Sequence, residues 1–132
     1  MTHVTPQTAL DMRNAGIQQQ PPIAGNFCAR IFDKHIFLVT SLSIEPPGYW
    51  VQGGMYGGNL NDADFSERFV LLPTAEDILQ ELSAWYYLCW LPESSEWACI
   101  EADSYGRTLR QYRNTNAAEA CASAYLDKHP IK

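Results

Sequence analysis

Four cysteines and three histidines are the residues of this chain best suited to nucleophilic or metal chemistry. Their spacing argues against both. Cys28, Cys89, Cys99 and Cys121 form no Cys-x-x-Cys pair, and His3, His35 and His129 are not grouped near them. Structural zinc sites show close ligand pairs. Cys99 could act as a nucleophile with His35 or His129 as base. It sits among Trp97, Ala98 and Ile100, however, a setting that points to a buried, inert thiol. No Gly-x-Ser-x-Gly turn of the kind that carries a hydrolase nucleophile occurs.

The segment Gly53-Gly54-Met55-Tyr56-Gly57-Gly58 has the glycine content of a phosphate loop. A phosphate loop continues with Lys-Ser or Lys-Thr at a helix start. Here Asn59-Leu60-Asn61-Asp62 follows, which would repel phosphate, so the segment reads as a mobile turn with bulges. Asp62, Asp64 and Glu67 could hold a hard cation such as Ca²⁺, but an EF-hand loop needs a longer set of oxygen ligands. They read as a solvated acidic loop. Arg107, Arg110 and Arg113 lie three apart. On a strand the first and last share a face and Arg110 takes the other, which splits a basic patch and suits protection of a sheet edge. No catalytic residue, metal or cofactor is expected.

Aromatic residues are the more suggestive set. Trp50, Tyr56, Trp85, Tyr86, Tyr87, Trp90, Trp97 and Tyr105 are many large rings for 132 residues. Core packing accounts for most of them, and aromatics are also enriched at protein interfaces. Tyr87, Leu91, Trp97, Trp50 and Tyr56 are the candidate interaction surface, for a protein partner or for a second copy in a homodimer. The formal net charge of −6 disfavours nucleic acid and anionic membrane, which require a positive field. The longest apolar runs, such as Trp85 to Leu91, are too short to span a bilayer. The start, Met1 to Pro6, lacks a charged region followed by an apolar run. A cytoplasmic location is expected, with neither nucleic acid nor membrane as partner.

The elements that must position these residues follow from local chemistry. Thr5-Pro6 is a helix entry, and Gly16 can end that helix. Phe27 to Phe32 and His35 to Leu42 read as strands around an Asp33-Lys34 turn, with Pro46-Pro47-Gly48 breaking the second. Tyr49 to Gln52 is a third candidate strand, Asn61 to Glu67 a loop, and Arg68 to Leu72 a short extended piece. Thr74 can cap a helix whose Ile78, Leu79 and Leu82 are expected to lie together against the sheet. Tyr86 to Leu91 and Trp97 to Ala102 form a hairpin around Pro92 to Glu96, and Arg107 to Arg113 completes a meander. In that hairpin Leu91 is expected to face Trp97, Cys89 to face Cys99 and Tyr87 to face Glu101, all on one side. Tyr86, Leu88 and Trp90 then point to the core with Ala98, Ile100 and Ala102. Asn116 caps the last helix, with Glu119 placed for a capping box, and Ala117, Ala120, Cys121 and Ala124 give it a narrow face of small residues.

Hydrophobic residues at 46% and charged residues at 18% describe a globular chain. The length fits one domain, residues 1–132, in three stretches: 1–26, 27–72 and 73–132. The expected class is α+β: an antiparallel sheet of hairpins and a C-terminal meander, with about three helices packed mainly on one face.

The order of pieces carries a resemblance. The N-terminal helix ends at Gly16, and Leu72-Pro73-Thr74 opens a helix with Ile78-Leu79. The hairpin holds Trp97, and Asn116-Ala117-Ala118-Glu119-Ala120 opens the last helix. In this the chain resembles a loose group of small uncharacterised proteins encoded in bacteriophages, prophages and mobile elements, common in gut bacteria. The resemblance leaves out the middle, from Ser43 to Glu67. No activity comes with the group, so it implies no functional residues. What it implies is a non-enzymatic accessory protein, phage-derived, acting by binding, for example on a host factor. The alternative from the residues alone is a small enzyme or ligand-binding protein with a pocket between the glycine-rich segment and the meander.

Overall fold

Short polar side chains set most of the element boundaries in this fold. The computed structural model describes residues 3–19, 21–44, 47–53 and 56–130, with the backbone alone for Pro47, Tyr56 and Asp62. In chain order the elements are α1 (Pro6–Asn14), β1 (Phe27–Arg30), β2 (Ile36–Ile44), β3 (Pro47–Gly53), β4 (Tyr56–Leu60), α2 (Asp62–Arg68), β5 (Phe69–Leu71), α3 (Ala75–Glu81), β6 (Tyr86–Leu91), β7 (Glu96–Ala102), β8 (Thr108–Asn114) and α4 (Ala117–Lys128). The class is α+β, as expected. The strands are divided between two antiparallel sheets, ordered β4-β3-β2-β1-β5 and β6-β7-β8. Residues 1–17 and 73–132 form one compact unit, and residues 18–72 form a second.

In the first unit α1 starts as its sequence requires. Thr5 accepts from the Thr8 amide, Pro6 occupies the first turn, and Gly16 takes φ 102° just past the end, a conformation glycine adopts without steric cost. Thr74 and Asp77 form a reciprocal capping box on α3. Asn116 caps α4 by accepting from the Ala118 and Glu119 amides. The capping box expected from Glu119 does not form. The Asn116 amide donates to Asn114 Oδ1 at 2.9 Å, and Glu119 Oε1 instead accepts from the hydroxyls of Thr5 and Thr8 at 3.3 and 2.8 Å. That carboxylate therefore ties the start of α4 to the start of α1.

Ala117, Ala118, Ala120, Cys121, Ala122, Ala124 and Tyr125 of α4 are buried, so the helix is surrounded along most of its length by packed neighbours. Small side chains let its backbone come close to β7, β8 and α3, its main contacts. The expectation that Ile78, Leu79 and Leu82 lie against the sheet is corrected on two points. The principal contact of α3 is α4, and Leu79 is only partly buried. Ala75, Ile78 and Leu82 are the buried positions. Their spacing of three and four places one stripe on α4 and leaves Leu79 at its margin.

The second unit packs α2 on β3 and β5. Its core holds Cys28, Phe37, Val39, Val51, Leu60, Phe65 and Phe69, with the Phe65 and Phe69 rings stacked at 5.5 Å. Two expectations are overturned here. The acidic segment Asn61 to Glu67 is not a loop. Asn61 caps α2 by accepting from the Asp64 amide at 2.8 Å, and Phe65 anchors the helix in the core. The glycine-rich segment is largely strand: Gly53 ends β3, and Tyr56, Gly57 and Gly58 lie in β4. Gly54 and Met55 lie outside the described residues, as does Pro46. β2 ends at Ile44, before the prolines, as expected, and β3 already opens at Pro47 and Gly48, a position proline tolerates. Gly53 is required by close approach, since a Cβ there would sit 2.6 Å from Phe37 Cδ1 and 2.8 Å from the Ile36 carbonyl oxygen.

Two stability measurements check this packing. Gly53→Ala is expected to cost about 1–3 kcal/mol by overpacking. Gly57→Ala, whose added Cβ meets only the Val51 carbonyl at 3.8 Å, is expected to stay within about 1 kcal/mol in urea unfolding. Ile78→Ala is expected to cost roughly 2–5 kcal/mol, and Leu79→Ala clearly less. Equal losses would contradict the assignment of the buried stripe.

Candidate interaction surface

The hairpin of β6 and β7 closes one residue earlier than its sequence suggests. Ser95 adopts a left-handed backbone at φ 53°, so the connection is Pro92 to Ser95 and Glu96 joins β7 opposite Leu91. The observed pairs are Tyr86 with Glu101, Tyr87 with Ile100, Leu88 with Cys99, Cys89 with Ala98, Trp90 with Trp97 and Leu91 with Glu96. A slip of one residue reverses every side chain. The expected facing of Leu91 with Trp97, Cys89 with Cys99 and Tyr87 with Glu101 is thereby corrected. Cys89 and Cys99 lie on opposite faces.

One face of the meander carries Tyr86, Leu88, Trp90, Trp97, Cys99 and Glu101, continued on β8 by Arg110, Tyr112 and Asn114. It lies under α4. Asp127 of α4 binds Arg110 Nη1 at 2.7 Å and accepts the Tyr112 hydroxyl. The Lys128 ammonium sits 5.5 Å from the centre of the Tyr86 ring. The Tyr86 hydroxyl donates to Glu101 at 2.7 Å, and burial followed by that bond raises its pKa. The Tyr112 hydroxyl and then the Arg110 guanidinium hold the Asp127 carboxyl below its ordinary range. Cys121 of α4 meets Cys99 of β7. Its thiol is pushed up, first by the hydrogen bond with Cys99 and then by burial. Burial likewise pushes Cys28 up to about 12. Cys28 and Cys121 are therefore poor nucleophiles; the hydrogen bond with Cys121 lowers the Cys99 thiol against its burial, and His129, considered as a base, packs its ring on Tyr125 with centroids 4.5 Å apart.

The opposite face carries Tyr87, Cys89, Leu91, Glu96, Ala98, Ile100, Gln111 and Arg113. Arg113 donates twice to Gln111 Oε1, at 3.1 and 3.2 Å. Arg110 and Arg113 thus leave on different faces, while Arg107 pairs with Asp103 at 2.8 Å in the preceding turn.

The five residues read as an interaction surface are not gathered on one face. Tyr87 (47% exposed) and the half-buried Leu91 share the face away from α4. Trp97 lies on the other, 5.2 Å from the Trp90 ring. Trp50 is exposed on β3 of the unit formed by residues 18–72. Tyr56 opens β4, and its side chain lies outside the described residues. Trp90, expected in the core, is 46% exposed. The glycine-rich segment belongs to the unit of residues 18–72 and the meander to the other.

The feature that joins the exposed aromatics is the edge strand β6, which residue-by-residue reading missed. Natural sheets blunt their edges with charge, proline, bulges or short strands. β8 has Arg110 and Arg113, and its pairing with β7 shifts register between Glu101 and Ala102. β5 is three residues long, and β4 contains Gly57 and Gly58. β6 reads Tyr-Tyr-Leu-Cys-Trp-Leu, with no charge, no proline and no register shift against β7. The signal was present as six consecutive uncharged residues, Tyr86 to Leu91, but that they form an edge is a property of the topology.

No helix among the described residues is long and apolar enough to cross a membrane, and no group of three or more metal-ligating side chains occurs among them. Compared with known proteins, the chain matches no family model, no curated sequence and no solved structure.

Cys28, Cys99 and Cys121 are buried and Cys89 is partly exposed. A thiol reagent added to native protein is therefore expected to modify Cys89 rapidly and the other three only on unfolding. Fast modification of Cys99 would contradict the register. For Asp127, a carboxyl with a lowered folded pKa adds stability above its unfolded value and loses it as pH falls through the folded one. A carboxylate titration followed by NMR should place Asp127 below an unfolded-peptide reference, and Tyr112→Phe should move it back up.

Proposed function

We propose that the chain is a non-enzymatic accessory protein that acts by binding another protein through the edge of β6. The observation that carries this reading is a charge-free edge strand with a half-exposed aromatic on each face, Tyr87 on one and Trp90 on the other. A strand adding to such an edge gains main-chain hydrogen bonds, and the alternating side chains supply specificity. Tyr87 and Leu91 are the contact residues on the face away from α4, and Trp90 is the contact residue on the other. Trp50 and Tyr56 have no part in it. The resemblance to small phage-encoded proteins supports the setting, in which the bound protein is a host factor.

The test compares capture from host lysate by the immobilised wild-type chain and by Trp90→Lys, with Leu109→Lys on β8 as a control at another exposed apolar position. A protein retained by wild type and Leu109→Lys but lost with Trp90→Lys is the expected result. Equal retention by all three would contradict the use of this edge.

A further inference from the structure

We propose that the outer edge of β6 pairs antiparallel with β6 of a second copy of this chain, about a two-fold axis at Leu88, joining two three-stranded sheets into one. This rests on the reading of β6 as the binding edge and gives that edge a second occupant, one that a foreign strand must displace.

The direction of the backbone groups carries the argument. The Ala102 amide donates to the Trp85 carbonyl at 2.9 Å, so the backbone of Trp85 faces β7. Alternation along an antiparallel ladder then turns Tyr87, Cys89 and Leu91 toward β7 and leaves Tyr86, Leu88 and Trp90 facing outward. Among the described residues no strand lies on that outer side. Of the outward amides, that of Tyr86 already donates to the Ser83 carbonyl at 3.1 Å. Of the outward carbonyls, that of Trp90 already accepts from the Cys89 thiol at 3.6 Å. What stays open is the Leu88 and Trp90 amides and the Tyr86 and Leu88 carbonyls.

A two-fold axis at Leu88 matches these groups to one another. Leu88 lies opposite Leu88 of the second copy and exchanges both bonds with it. Each Trp90 lies opposite a Tyr86, and the Trp90 amide donates to the Tyr86 carbonyl. The groups this pairing leaves over, the Tyr86 amide and the Trp90 carbonyl, are the two with partners in their own chain. An axis at Cys89 would instead set Tyr86 opposite Pro92, which has no amide hydrogen to offer.

The side chains fit the same register. Tyr86 and Trp90 stack across the axis on either side of the Leu88 pair, and Tyr87 covers Cys89 on the other face, which buries the half-exposed rings. Aromatic cross-strand pairs stabilise a sheet, and like charges directly opposite destabilise it. The two rows contain no charge, although each copy carries −6. A foreign strand would need side chains that suit this row, whereas a second copy brings them. An edge of six residues buries less than the roughly 1,200 Å² at which stable complexes begin, so the dimer is expected to dissociate in the micromolar range.

Sedimentation of the full chain across roughly 1–300 µM is expected to show a reversible shift from monomer to dimer. Trp90→Lys should raise the dissociation constant by about tenfold or more, and Leu109→Lys should leave it unchanged. Tyr87 and Cys89 of the second copy form a non-hydrogen-bonded pair, with Cα atoms about 4.5 Å apart, within disulfide reach. Tyr87→Cys treated with diamide, which takes up the two thiol hydrogens, should therefore give a covalent dimer that is reversed by dithiothreitol and abolished by adding Cys89→Ser. A wild-type chain that stays monomeric throughout overturns the proposal. So does wild-type protein that links Cys89 to Cys89. If the chain is monomeric while Trp90→Lys still releases a captured lysate protein, self-pairing fails and the binding reading stands, with a foreign strand on the edge. If dimerisation is seen but Leu109→Lys abolishes it and Trp90→Lys does not, both fail.

Discussion

The left-handed backbone at Ser95 is the constraint on which the meander depends. By closing the hairpin after four connecting residues it pairs Leu91 with Glu96, and that pairing fixes the face of every side chain from Tyr86 to Ala102. With this register, Cys99 meets Cys121 and Tyr112 meets Asp127 under α4. Shifted by one against β7, β6 would turn Tyr87, Cys89 and Leu91 to the α4 side and carry the Tyr86 ring away from Lys128 and the Glu101 carboxylate. The turn sets the face of β6 and the contacts of α4 set that of β7 and β8, and the two agree, which is how locally consistent signals give a single native state.

The seat of α4 also decides what remains available. A helix with a small-residue face can approach a sheet closely, and here it packs on β7 and β8, while among the described residues no strand pairs with the outer edge of β6. The chemistry of the molecule follows from this division. Carboxylates and hydroxyls that could have served as acid or base, Glu101, Tyr112 and Asp127, are held in pairs that join strand to strand or strand to helix. Three of the four thiols are buried. Among the described residues, β6 is an uncharged edge strand of six residues with a half-exposed ring on each face.

Helix starts were the most legible part of the fold, because a cap is a contact between neighbours in sequence. Thr5, Thr74 and Asn116 announce α1, α3 and α4, and each performs as read. α2 was not legible. It spans seven residues with Phe65 as its single large apolar side chain, too short for a periodic stripe, although Asn61 carried the same capping signal as the others. The register failed at Ser95, since serine gives no sign that it will take the left-handed backbone usual for glycine or asparagine. The glycine-rich segment misled for a related reason: Gly53 serves close packing against Phe37, and Gly57 and Gly58 lie within a strand. The division into two sheets could not be read at all, because which strands pair is settled by tertiary contacts. The candidate surface inherited these errors. Tyr87 and Leu91 kept a common face, while Trp97 pairs with the half-exposed Trp90 on the other.

The central claim is that the outward main chain of β6 is open in the single chain and closed by a partner strand. Amide hydrogen exchange measured residue by residue, at dilute and at high protein concentration, tests it most directly. The Leu88 and Trp90 amides are expected to exchange quickly when dilute and to become protected as concentration rises, while the outward Gln111 and Arg113 amides of β8 do not change. Protection of Leu88 and Trp90 that is already complete in dilute solution, or a rise confined to β8, would contradict it.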